Sequence, residues 1–150
     1  MASVTLDQIE AARRTIAGVA VETPLVPSPH LTALIGAFKL RGAANAVLTL
    51  PEGTEGVTCC STGNHGRGVA YAARRRGMRA VICMSSLVPQ TKIDGIRALG
   101  AEVKIVGRSQ DDAMAESLRL VEQEGLVEIS PFDDAQVIAG QGTIGLELMD

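Results

Sequence analysis

Apolar residues recur along this chain at two spacings, and the spacing switches at regular intervals. In "TLDQIEAARRTIAG" the residues Ile9, Ala12 and Ile16 share one helix face. Thr5 and Gln8 stand at capping-box separation, and Gly18 supplies a stop. "VETPLVPSPHLTAL" is punctuated by Pro24, Pro27 and Pro29 and predicts a connection leading into a short helix. "RGAANAVLTL" predicts a helix and Pro51 to Gly56 a turn. A rhythm then begins. The short apolar runs "GVTCCS", "RAVICMS", "AEVKIVG" and "LVEIS" predict strands. Each is followed by a helical stretch: "NHGRGVAYAARRRG", "PQTKIDGIRALG", "SQDDAMAESLRLVEQEG" and "DAQVIAGQGTIGLELMD". In the third stretch Met114, Leu118 and Val121 repeat at helical spacing. Strands alternating with helices require an α/β fold: an open parallel sheet, right-handed crossovers and helices on both faces.

Composition narrows the function classes. Hydrophobic residues make up 46% of the 150 positions and charged residues 21%, so the chain can bury a core. The net charge is −3, and the basic residues cluster only at Arg74 to Arg76, where they predict a helix end rather than a nucleic-acid patch. Two Phe, one Tyr and no Trp provide no platform for stacking bases. No apolar run is long enough to span a membrane, and "MASVTLDQIEAARR" lacks the pattern of a secretory leader, so the expected compartment is the cytoplasm. Cys59, Cys60 and Cys83 lie on predicted strands without metal-ligand spacing, so no metal is expected and the thiols read as small buried hydrophobes.

In parallel sheets of this kind ligands sit beyond the carboxyl ends of the strands. The loop with the most chemistry there is "STGNHG", with two hydroxyls, an amide and an imidazole at the point where a strand enters a helix. It is either an anion cradle at a helix N-terminus or a helix cap with tight-turn glycines. The chain has three lysines. Lys104 lies within a predicted strand and Lys92 on a mixed helix face, whereas Lys39 stands between Phe38 and Leu40 at the mouth of a helix. A desolvated lysine beside another cation, here Arg41, has a neutral amine available for Schiff-base chemistry. The alternative is a lysine whose stem packs on apolar surface while its head reaches water.

Four segments, "GAFKLRGAANA", "STGNHGRGVAYAA", "LVPQTKIDGIRALGAEVKIVG" and "SPFDDAQVIAGQGTIGLE", occur in this order. In that order they resemble the fold type II, tryptophan synthase beta-like enzymes that use pyridoxal phosphate (PLP), specifically the threonine dehydratase and serine racemase group. The resemblance implies PLP as cofactor, linked as an imine to Lys39, which later serves as acid and base at the substrate α-carbon. It implies that Phe38 packs beside the cofactor and that Asn64 meets the ring hydroxyl. Ser61, Thr62, Gly63, Asn64 and His65 would hold the substrate carboxylate. His65 has a second reading as a hydrogen-bonding residue at the helix start. Thr62 stands where a racemase carries a second acid/base hydroxyl. The implied reaction is dehydration and deamination of L-threonine or L-serine to a 2-oxo acid and ammonia. A racemase is the same-family alternative, and "GRSQDD" with "STGNHGR" also resembles a hydroxyectoine-pathway dehydratase subgroup. A non-catalytic α/β module that binds an anion or a partner chain is the alternative from another class.

Measured against that family, the resemblance implies an incomplete fold. Residues 1–50 would begin the larger cofactor domain, residues 51–132 would form the small substrate-clamping domain, and residues 133–150 would return to the larger one. A segment expected between "HLTAL" and the lysine motif is short, and the family's phosphate loop has no candidate. The implied partners are a small amino-acid substrate and a second copy of the chain in a homodimer, with no nucleic acid and no membrane.

Overall fold

The structure is a computed structural model that describes residues 3–20 and 38–149. The proline-rich connection and its short helix lie outside the described residues, as does the short segment before the lysine motif. Helix α1 (Leu6–Thr15) opens with the expected capping box: the Gln8 amide donates to Thr5 Oγ1, and the Thr5 amide donates to Gln8 Oε1. Helix α2 (Lys39–Leu48) begins two residues before the expected helix, so Lys39 lies within its first turn.

The strand–helix rhythm is present throughout. It runs β1 (Gly56–Cys60), α3 (Asn64–Arg76), β2 (Arg79–Met84), α4 (Gln90–Arg97), β3 (Glu102–Ile105), α5 (Gln110–Glu124), β4 (Val127–Glu128) and α6 (Ala135–Met149). The four strands form one parallel sheet in the order β3-β2-β1-β4. β1 is buried along its whole length, as a strand covered on both faces must be. β4 is shorter than "LVEIS" because its pairing with β1 ends at Glu128; the Ile129 amide then reaches back to the Thr58 carbonyl at 2.9 Å.

Side-chain alternation along β1 divides the core. Val57, Cys59 and, from β2, Ile82 face α3 and α2, whereas Cys60, Val81 and Cys83 face α5 with Ala113 and Leu120. All three cysteines are buried free thiols, as expected of small apolar residues. Burial pushes the Cys60 thiol up to about 11, so it stays protonated at neutral pH.

Helices α2 and α6 cross at close range. A side chain on Gly140 would come within 2.5 Å of the Arg41 carbonyl oxygen and 2.7 Å of Gly42 Cα. Asn45, buried at this crossing, donates to the Gln136 carbonyl at 2.8 Å. The arginine run sits in the last turn of α3, as expected, but Arg76 caps the neighbouring helix. Its guanidinium donates to the carbonyls of Val47, Leu50 and Pro51 at the end of α2, which ties α2 to α3 at the end remote from Lys39.

Candidate active site

Strands β1, β2 and β3 are laid down in one direction across the sheet, and β4 then returns to the other side of β1. The order therefore reverses at β1, and the crevice beyond its carboxyl end is the topological switch point. The loop that leaves β1 there is Ser61 to Gly63.

Ser61 shapes this loop. Its amide extends the ladder by donating to the Cys83 carbonyl at 3.1 Å. Its hydroxyl oxygen accepts the amides of Gly63 at 3.1 Å and Gly66 at 2.9 Å. Ser61 is buried, so these bonds fold the chain back over its own side chain. Gly66 must be small, because a Cβ there would lie 2.8 Å from Ile82 Cγ2 and 3.1 Å from Ser61 Cβ. The Gly66 amide is thereby satisfied, but those of Asn64 and His65 open the helix without an intrahelical acceptor. Thr62 and Asn64 are exposed on this rim.

His65 points inward and is only 3% exposed. One ring nitrogen, Nε2, lies 2.8 Å from the Ile129 carbonyl oxygen across the switch point. A carbonyl only accepts, so in the neutral ring Nε2 carries the hydrogen and Nδ1 is left as an acceptor. Nδ1 is buried and has no partner. Burial holds the His65 pKa below its ordinary value; the Ile129 carbonyl opposes this shift and the charge of Lys39 adds to it.

Lys39 reaches the same place from α2. A Cβ on Gly68, in the second turn of α3, would meet Ala43 Cβ at 3.0 Å, Leu40 Cα at 3.3 Å and the Lys39 carbonyl oxygen at 3.4 Å. Two small residues thus let the start of α2 lie directly against α3. Lys39 is half-buried and Phe38 is 56% exposed. The expected role of Arg41 needs correction. Its guanidinium is not a bare cation beside Lys39, because it pairs with Glu147 of α6 through both nitrogens, at 2.5 and 2.8 Å, and donates to Thr143 at 2.9 Å. Arg41 fastens α2 to α6 and so holds the helix that carries Lys39.

Sequence reasoning missed three contributors. Asp134 Oδ1 accepts the amides of Gln136 and Val137 and caps α6. The Ile129 carbonyl, which sets the His65 tautomer, has no side-chain signature. Lys92, in the first turn of α4, lies over the loop: a Cβ on Gly63 would be 3.2 Å from its Cδ and 3.4 Å from its Nζ. Its position just after β2 was the available signal, since the first turn of that helix lies at the same sheet edge.

Residues 20–150 match the family model described as pyridoxal-phosphate dependent enzyme. The chain belongs to that family. It is 48% identical to a Sinorhizobium fredii protein provisionally named a threonine dehydratase, covering all of this chain and 50% of the relative. It is 40% identical to the L-threonine ammonia-lyase of Thermotoga maritima, over 98% of this chain and 41% of that protein. The fold is similar to serine racemase from Dictyostelium discoideum, with a TM-score of 0.85 and 34% identity over 99% of this chain and 53% of that one. It is also similar to the processed form of threonine deaminase isoform 2 from Solanum lycopersicum, with a TM-score of 0.78 and 38% identity over 96% of this chain and 48% of that one. The chain thus spans half or less of the length of the curated relatives it matches. The Sinorhizobium alignment runs over 166 residues against 150 here, so that relative carries residues without a counterpart in this chain. Among the described residues no helix is long and apolar enough to cross a membrane, and no cluster of ligands suits a metal ion.

Proposed function

We propose that this chain supplies the lysine and the carboxylate-binding loop of a PLP-dependent ammonia-lyase acting on a small hydroxy amino acid such as L-threonine or L-serine. The observation that carries the proposal is the meeting of the Lys39 end of α2 with the first turns of α3, whose Ser61–His65 segment stands at the switch point. The residues present fit the cofactor. His65 Nδ1 is a buried acceptor without a donor, and Asn64 is an exposed amide at the helix start. Lys39 would hold PLP covalently, Phe38 would pack on it, and Asn64 would meet its ring hydroxyl. When bound, the cofactor is the electron sink that stabilises negative charge at the substrate α-carbon.

The protein's own groups do the rest. The free amides of Asn64 and His65 hold the α-carboxylate at the positive end of α3, and the Ser61, Thr62 and Gly63 turn shapes that cradle. The Lys39 amine, freed when the substrate amine takes its place, would take the α-proton and pass a proton to the departing β-hydroxyl. The substrate hydroxyl then leaves from the β-carbon as water, and hydrolysis yields a 2-oxo acid and ammonia. Neutral His65 adds no charge of its own to the crevice, while its Nε2–H ties the loop to Ile129 just after β4. In this reading residues 51–132 are the substrate-clamping unit, α1, α2 and α6 belong to the cofactor unit, and the active protein is a cytoplasmic homodimer.

The exposed Thr62 favours a second reading, racemisation, because its hydroxyl is free to serve as an acid or base apart from Lys39. Adding PLP is expected to produce a visible absorption band that is lost in Lys39→Ala, with 2-oxo acid formed from L-serine or L-threonine. Absence of the band in the parent, or its persistence in Lys39→Ala, overturns the lyase reading. Inversion of the amino acid without 2-oxo acid favours the racemase.

A further inference from the structure

Two of the three lysines, Lys39 and Lys92, occupy first turns of helices, where the backbone already presents its positive end and a cation is disfavoured. Around Lys92 the mismatch is doubled. Helix α4 starts after Pro89 with no side-chain cap and no acidic residue in its first turn, and α3 starts after Gly63 in the same condition. The Lys92 stem lies along Gly63, with Cδ, Nζ and Cε within 3.2, 3.4 and 3.5 Å of where a Cβ would stand. Lys92 is exposed, yet its stem lies against Gly63 instead of swinging away from the two positive helix ends or towards a carboxylate. Lys104, for comparison, pairs with Glu116 at 2.9 Å, whereas among the described residues Lys92 has no hydrogen-bond or ion-pair partner for its ammonium. Positive charge from two helix starts and the Lys92 ammonium therefore gathers at Gly63, while Asp134, the carboxylate that bears on neighbouring His65, is engaged in capping α6.

We infer that Lys92 is a binding residue for the substrate carboxylate, with its ammonium held over Gly63 as a fixed cation beside the Asn64 and His65 amides. This rests on the reading of Ser61–His65 as the carboxylate loop and extends it to a second helix. The carboxylate is then gripped between the starts of α3 and α4, so binding also draws together the two helices that follow β1 and β2. Gly63 suits the same arrangement, because a Cβ there would press on the lysine stem at 3.2 Å and push it outward by a few tenths of an ångström.

The test uses acetate as the probe, at constant ionic strength, with the isotopically labelled chain followed by amide chemical shifts. In the parent, the Gly63, Asn64 and His65 amides should shift saturably. In Lys92→Gln the apparent affinity should fall about three- to tenfold, the range expected for one nearby charge in partly screened surroundings. Lys92→Arg keeps the charge and should retain binding, and Lys104→Gln should bind as the parent does. In turnover of L-serine the loss should fall on KM rather than kcat. Equal acetate affinity in Lys92→Gln and the parent overturns the inference, as does the absence of loop shifts in the parent. Because acetate binding is read without PLP, a failed PLP band with intact, Lys92-dependent acetate binding would sink the lyase reading and leave this one standing.

Discussion

Helices in this chain start in two ways. α1, α5 and α6 close their first turns with side chains. Thr5 and Gln8 form a capping box on α1, Ser109 and Asp112 form another on α5, and Asp134 caps α6. α2, α3 and α4 have no side chain bonded at the cap position and no acid in the first turn. The closed starts place their donors against their own side chains and are complete as they stand. The open starts put Lys39, the Asn64 and His65 amides, and Lys92 about one crevice. A cap contributes about 1 kcal/mol, so α2 and α4 forgo a readily available stabilisation and α3 is closed only in part, by Ser61 on the Gly66 amide; all three adjoin the proposed site. Stability at the closed starts and anion affinity at the open ones should therefore respond to different substitutions.

The most damaging way to break this division is to fill the space under the open loop. Gly66→Val would drive side-chain atoms into Ile82 and Ser61, both held by the sheet and its first loop, at a cost of about 3 kcal/mol. Urea titration should show that loss together with loss of acetate shifts at Asn64 and His65. Retention of either would mean that the loop does not depend on Ser61 for its shape.

The next pair of substitutions compares the two kinds of start directly. Ser61→Ala removes the acceptor shared by the Gly63 and Gly66 amides and should cost about 2 kcal/mol, because buried donors are left unpaired. Ser109→Ala removes an exposed cap and should cost about 1 kcal/mol. The sharper contrast is functional. Ser61→Ala should also weaken acetate and substrate binding, whereas Ser109→Ala should leave both alone. If the two variants lose stability but neither affects binding, the distinction between open and closed starts has no functional content.

The closed starts were the more legible in the sequence. Thr5 and Gln8 declare a cap by spacing alone, and the alternation of apolar strands with glycine-terminated helices identifies a parallel sheet. The Ser61–His65 loop was found because polar residues accumulate after an apolar strand. What stayed hidden was the pairing of distant side chains. Nothing adjacent to Arg41 announces that Glu147 neutralises it, and nothing beside Lys92 announces Gly63. Local pattern reports backbone state well, but it does not report which long side chain will cross to another element. That depends on how α4 is set against α3 and α6 against α2, which only the folded chain fixes.

The finest test lies in the pH dependence of His65, which joins an open start to its lysine. Burial, first of all, holds this imidazole below its ordinary pKa of 6.5, and the Lys39 charge adds to the effect. As pH falls through 6.5 the unfolded chain takes up a proton at this position before the folded one does. The unfolded state then binds more protons, so stability rises with pH in that window. The contribution is complete above the unfolded pKa and erodes below it. Urea midpoints at about pH 7.5 and about pH 5.5 should therefore differ more in the parent than in His65→Gln. Lys39→Met should give an intermediate slope, because it removes the charge but not the burial. An unchanged slope in Lys39→Met would mean that the start of α2 and the start of α3 do not share an electrostatic environment, and the case for one crevice fed by three open helix starts would lose its link between the lysine and the loop.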